Sequence, residues 1–169
     1  GQGLDECAVQ RAGTVHFVTH SLGGILVRQY LSVNVIPGLG RVVMLGPPNQ
    51  GSQSADYVHS LDILSPLAPE AVEQLGTGDR SIPRRLGAAN FELGVIAGTE
   101  SGLGTLPWSS DMPSDGTVAV TETMVPGMVD FIELPVRHSF MMWREAVRDQ
   151  VLHFLLNGRF NHAEALAQP

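Results

Sequence analysis

Four short apolar runs alternate along the chain with stretches of helical periodicity: residues 14–19 (TVHFVT), 41–45 (RVVML), 93–97 (LGVIA) and 128–134 (MVDFIEL). Within each run the apolar residues are largely continuous instead of strictly alternating, the pattern of strands covered on both faces and so of a parallel sheet. Pro47 and Pro48 close the second run and Pro135 the fourth, where a ladder cannot easily continue. Between the strands, Leu22, Ile25, Leu26, Leu31 and Val33 fall on mostly helical spacing over residues 22–33. After the fourth run, Phe140, Trp143, Val147, Val151 and Phe154 recur every three or four residues, with Gly158 in the place of a C-terminal cap. The expectation is an α/β fold: one domain over residues 1–169, a mostly parallel sheet, helices on both faces. His16 is expected inside a buried strand. Residues 47–92 contain a long stretch with short helical candidates at 53–59 and 70–75, and loops of this length carry function or cover a site, so a cap or lid insertion is expected there.

Composition removes several functions. All ten basic residues are arginine, and against 17 acidic residues they leave a formal charge of -7. A surface that tracks nucleic-acid phosphates is not expected from that balance. No apolar run approaches the roughly 18 residues of a membrane span. Cys7 is the single cysteine, which excludes an internal disulfide and a cysteine-built metal site, and no pattern of ligands calls for a metal or any other cofactor.

The first strand and the first helix meet at Thr19-His20-Ser21-Leu22-Gly23-Gly24. A sharp strand-to-helix turn holds its central residue in strained backbone geometry, and small neighbours two positions away relieve the crowding, a need that Gly23 meets and Thr19 meets less well. The turn lifts a serine hydroxyl to the carboxyl edge of the sheet, where a base on another loop can reach it. The N–H of Leu22, at the start of the following helix, faces a developing oxyanion. Ser21 also suits a simple helix cap. This window resembles the nucleophile elbow of the α/β-hydrolase fold, G-x-S-x-G, particularly that of its lipases and esterases, with Thr19 in place of the first glycine.

The resemblance extends over residues 14–158. Residues 41–58 (RVVMLGPPNQGSQSADYV) are similar to the stretch of bacterial lipases in which G-x-P-x-x-G-S follows a strand. Asp115-Gly116-Thr117-Val118 resembles the D-G-x-V segment that carries their acidic residue, and His138 lies after the fourth strand and before the last helix, where that fold places its histidine. The family order Ser, Asp, His then implies Ser21 as nucleophile, His138 as base and Asp115 as the acid that orients it. Asp111 on the same loop is the alternative acid. His20 adjoins Ser21 and is expected to point elsewhere, His59 falls in the cap, and His153 and His162 lie on or after the last helix. Asp130 and Glu133 are expected to solvate an edge strand.

What the resemblance implies is hydrolysis of carboxylic esters through an acyl-serine, with a small acyl ester or lipid as substrate. An acyltransferase, thioesterase or amidase on the same three residues is the alternative, as is a binding domain that keeps the turn only for its fold. Residues 61–75 (LDILSPLAPEAVEQL) offer an apolar lid or acyl pocket, or ordinary core packing. Family members place strands and a second oxyanion donor ahead of the elbow, whereas only about twenty residues precede Ser21 here. The sequence therefore reads as the C-terminal two-thirds of such a fold, with an exposed first strand that invites homo-oligomer contact. Weak activity is expected of it unless another segment supplies that donor, since losing one oxyanion donor costs ~10² to 10³ in turnover. No compartment is indicated.

Overall fold

The computed structural model describes residues 13–52, 76–78, 81–101 and 112–165. In chain order the elements are β1 (Val15–His20), α1 (Leu22–Val33), β2 (Leu39–Leu45), α2 (Ile82–Arg85), β3 (Leu93–Gly98), α3 (Val120–Thr123), β4 (Asp130–Leu134), a 3-10 turn (His138–Trp143), α4 (Glu145–Asn157) and α5 (His162–Ala165). The four strands form one parallel sheet in the order β1-β2-β3-β4. The expected helical candidates at 53–59 and 70–75, the segment 61–75, Cys7, His59 and Asp111 lie outside the described residues.

Side chains of successive strand residues point to opposite faces, and the core divides accordingly. Val42, Met44, Leu93 and Val95 pack with Leu31 of α1, Ile36 and Val125 on one face. Val43, Leu45, Ile96, Ile132 and Leu134 pack with Val147, Val151 and Phe154 of α4, Met141 and Phe160 on the other. Both central strands are thus buried on both faces, which is why their sequences show no polar alternation. Each large side chain sealed in this way contributes about 1.5–3 kcal/mol relative to exposure, so these two layers stabilise the sheet beneath the site.

The structure departs from the sequence reading in three places. β1 lies at one end of the described sheet, so His16 is exposed and not buried. Its Nδ1 accepts a hydrogen bond from the Arg41 N–H at 2.9 Å, where the β1–β2 register shifts, so the side chain satisfies an amide in the interrupted stretch of ladder. The last helix is shorter than its periodicity suggests. Arg144 adopts extended backbone angles that break the helix, leaving Phe140 and Trp143 in the 3-10 turn, 57% and 71% exposed. α4 does end at Gly158, whose φ of 75° is the left-handed cap conformation and whose N–H donates to Phe154 O. Finally, Asp130 does more than solvate an edge: its carboxylate accepts from the backbone N–H of Phe131 and Phe160 and pairs with His162 Nε2, fastening the segment after α4 onto β4.

Candidate active site

The carboxyl ends of the strands bring Ser21, Asp115 and His138 together. Ser21 follows β1 directly, and its φ of 54° and ψ of -127° make it the one non-glycine residue with positive φ among the described residues. Such a conformation costs of order 1–3 kcal/mol and persists only where the surroundings enforce it. Here the Ser21 N–H donates to Leu45 O at 2.8 Å, extending the β1–β2 ladder into the turn, while Gly24 N–H donates to Ser21 O at 3.0 Å to open α1. The tight glycine of the turn is Gly24 more than Gly23. A Cβ at Gly24 would lie 3.0 Å from Met44 Sδ and 3.2 Å from Pro47 Cβ, whereas one at Gly23 would meet only Thr19 Cβ at an ordinary 3.5 Å. Thr19 is accommodated sterically, but its Oγ1 is buried without a hydrogen-bond partner. No side-chain hydrogen bond from Ser21 caps α1.

The Ser21 hydroxyl points instead at an imidazole. Its Oγ is 3.0 Å from His138 Nε2, and His138 Nδ1 is 2.7 Å from Asp115 Oδ2. A carboxylate accepts and does not donate, so Nδ1 carries the proton and leaves the Nε2 lone pair facing the serine. Asp115 is 2% exposed. Its other oxygen, Oδ1, accepts from the N–H groups of Thr117 and Val118 at 2.9 and 2.8 Å. The Asp-Gly turn therefore supplies the donors that fix its own carboxylate. Leu22 opens α1, where first-turn amides have no intrahelical acceptor. Among the described residues no group of three or more His, Cys, Asp or Glu side chains is placed to hold a metal, and no helix is long and apolar enough to cross a membrane.

Four further residues shape the site, none of them singled out for it by the sequence pattern. His20 turns toward the site, not away from it: its Nε2 lies 2.9 Å from the His138 carbonyl oxygen, and the two rings are 4.7 Å apart. Burial, and next the nearby His138, hold its pKa below the ordinary histidine value. Arg28, on the buried side of α1, donates to Asn49 O and Oδ1 and to Gly87 O, while Asn49 Nδ2 donates to Thr123 O. Burial alone pushes the guanidinium down to about 10, so it remains charged at neutral pH and bound to neutral acceptors. An arginine at the i+3 position between Ile25 and Leu31, on an otherwise apolar stripe, was the available signal. Together Arg28 and Asn49 brace the helix behind Ser21 against the loop after β2. Gly46 begins that loop with φ 53°, and a Cβ there would lie 2.9 Å from Asp115 Oδ2 and 3.1 Å from His138 Nδ1.

Comparison with protein-family models and with curated proteins gives no match. Solved structures do resemble the chain. Phospholipase PlaB from Legionella pneumophila superposes with a TM-score of 0.70 at 16% identity, over 98% of this chain and 48% of that one. The mature form of Bacillus licheniformis lipase BlEst2 gives a TM-score of 0.59 at 22% identity, over 81% of this chain and 63% of that one. The metagenomic carboxyl esterase MGS0156 gives 0.58 at 18% identity, over 82% and 50%. The chain thus spans about half to under two-thirds of the length of these three proteins. With four parallel strands and helices on both faces, these likenesses make the fold one of α/β-hydrolase type.

Proposed function

We propose that this chain carries the catalytic residues of a serine ester hydrolase, with Ser21 as nucleophile, His138 as general base and Asp115 as its orienting acid. The observation that carries the reading is the continuous line from Ser21 Oγ through the His138 ring to a buried Asp115 carboxylate. His138 Nε2 takes the hydroxyl proton as Ser21 Oγ attacks the ester carbonyl, and Asp115 stabilises the imidazolium that results. The Leu22 N–H donates to the oxyanion of the tetrahedral intermediate. The imidazolium returns its proton to the departing alkoxide, leaving an acyl-serine. Water, deprotonated by the same nitrogen, releases the acid and restores the hydroxyl. The structural neighbours bear the names lipase, phospholipase and carboxyl esterase, which supports an acyl ester or lipid as substrate.

Covalent labelling tests this. A fluorophosphonate probe is expected to modify the folded wild-type protein, and Ser21→Ala and His138→Ala are expected to abolish the modification. An unmodified, well-folded full-length protein rejects the assignment and leaves the turn as part of a binding domain.

A further inference from the structure

We infer that His20 is a positioning residue for the reaction proposed above, holding the His138 backbone so that the His138 ring faces Ser21. The inference rests on that assignment of Ser21 and His138, and adds to it a residue that touches neither substrate nor the reacting oxygen. A carbonyl oxygen only accepts, so the 2.9 Å contact with His138 O requires a proton on His20 Nε2, and the ring is in that tautomer. His138 is then held from two sides. Its N–H donates to Asp115 O at 3.0 Å and its ring to Asp115 Oδ2, while its carbonyl accepts from His20.

The geometry explains why the second hold matters. Both bonds from Asp115 arrive from one residue on the loop after β3, and alone they let the His138 peptide pivot with that loop. His20 belongs to β1, the strand that also delivers Ser21, one residue further on. The bond from His20 therefore refers the base to the same rigid strand as the nucleophile. Displacing reacting groups by about 1 Å is enough to lose a large part of the rate. Ring contact at 4.7 Å has a second consequence: a cationic His20 would oppose the charge that His138 acquires as Ser21 attacks. Among the described residues, the charged or titratable groups that act on His20 are His138 and, more weakly, Asp115, and the depressed basicity of His20 keeps it neutral as the reaction proceeds.

The test compares His20→Phe, which keeps a ring against His138 but cannot donate, with His20→Gln, whose amide N–H replaces the donor. The readout is the pseudo-first-order rate of fluorophosphonate labelling of the full-length protein, with melting temperature measured on the same samples. The expected result is a rate about tenfold lower for His20→Phe and within about threefold of wild type for His20→Gln, at similar melting temperatures. Labelling of His20→Phe at the wild-type rate, or an equal loss in both variants, overturns the inference while leaving the roles of Ser21 and His138 intact. Wild-type protein that does not label at all overturns both. A measurement on wild type alone guards against misfolded variants: the nitrogen-15 shifts of His20 at neutral pH are expected to report the Nε2–H tautomer, and the Nδ1–H tautomer contradicts the proposed bond.

Discussion

Asp115 grips His138 twice, through its carbonyl oxygen to the His138 N–H at 3.0 Å and through Oδ2 to the ring Nδ1 at 2.7 Å. The backbone bond sets where the histidine stands, and the side-chain bond sets which ring nitrogen carries the proton. Replacing Asp115 by Asn separates the two. The backbone bond survives, but an amide side chain able to donate to Nδ1 favours the wrong tautomer and turns a protonated Nε2 toward Ser21. Ester turnover is expected to fall by ~10³ to 10⁴ with the fold retained by circular dichroism. A loss of less than tenfold in a folded variant means that Asp115 is not the orienting acid.

Gly46 gives a steric test of the same corner. Alanine there has to adopt a φ of 53°, at a cost of about 1–2 kcal/mol, and its Cβ would press on Asp115 Oδ2 and His138 Nδ1 at 2.9 and 3.1 Å. Gly46→Ala is therefore expected to lower stability in denaturant by at least that amount and to slow labelling at Ser21. Slower labelling is expected to persist at temperatures where the variant is fully folded. Normal labelling under those conditions means the corner relaxes without moving the histidine.

The sequence makes the frame legible because central parallel strands must be apolar on both faces, and residues 41–45 and 93–97 say so directly. The junctions that carry Ser21, Asp115 and His138 are also readable, since the local pattern of each is short-range: strand-turn-helix, Asp-Gly turn, strand-to-helix loop. What was not readable depends on sheet order. The apolar run at residues 14–19 reads as a buried strand, and its pattern does not say that His16 faces out at the end of the described sheet. His20 looked irrelevant because its partner is 118 residues away, reached only after β4 is placed beside β3. Phe140 and Trp143 continued the helical period, yet a period does not reveal the extended backbone at Arg144 that ends it.

Acid stability reports the environment of His20. Burial, followed by the proximity of His138, holds its folded-state pKa below the unfolded value of about 6.5. The unfolded chain therefore binds more protons than the folded one as pH falls below that value. Its neutral form favours the fold fully above about pH 6.5, and that contribution is lost progressively on acidification through the window between the two values. In His20→Gln this source of acid sensitivity is gone, so melting temperature between pH 7 and 5 is expected to fall less steeply than in wild type. Parallel curves mean that His20 titrates like a solvated histidine.

Ser21 is held in a conformation suited to glycine, and that strain has a measurable consequence. At φ 54° and ψ -127° a Cβ is crowded by its own backbone, whereas glycine enters such regions freely. The strain is offset by the bonds that lock the turn, Ser21 N–H to Leu45 O and Gly24 N–H to Ser21 O, both of which are backbone bonds that glycine keeps. Only the hydroxyl contact with His138 Nε2 is removed, and that neutral, part-buried bond contributes about 1 kcal/mol at most. Ser21→Gly is therefore expected to abolish fluorophosphonate labelling while leaving stability unchanged or raising it by about 1 kcal/mol, the trade of stability against activity that strain at the proposed nucleophile implies. Ser21→Ala, which keeps the Cβ and loses the same bond, is expected to be less stable than Ser21→Gly by about 1 kcal/mol or more. Equal unfolding midpoints for the two variants in denaturant argue that the turn stores no strain at this position.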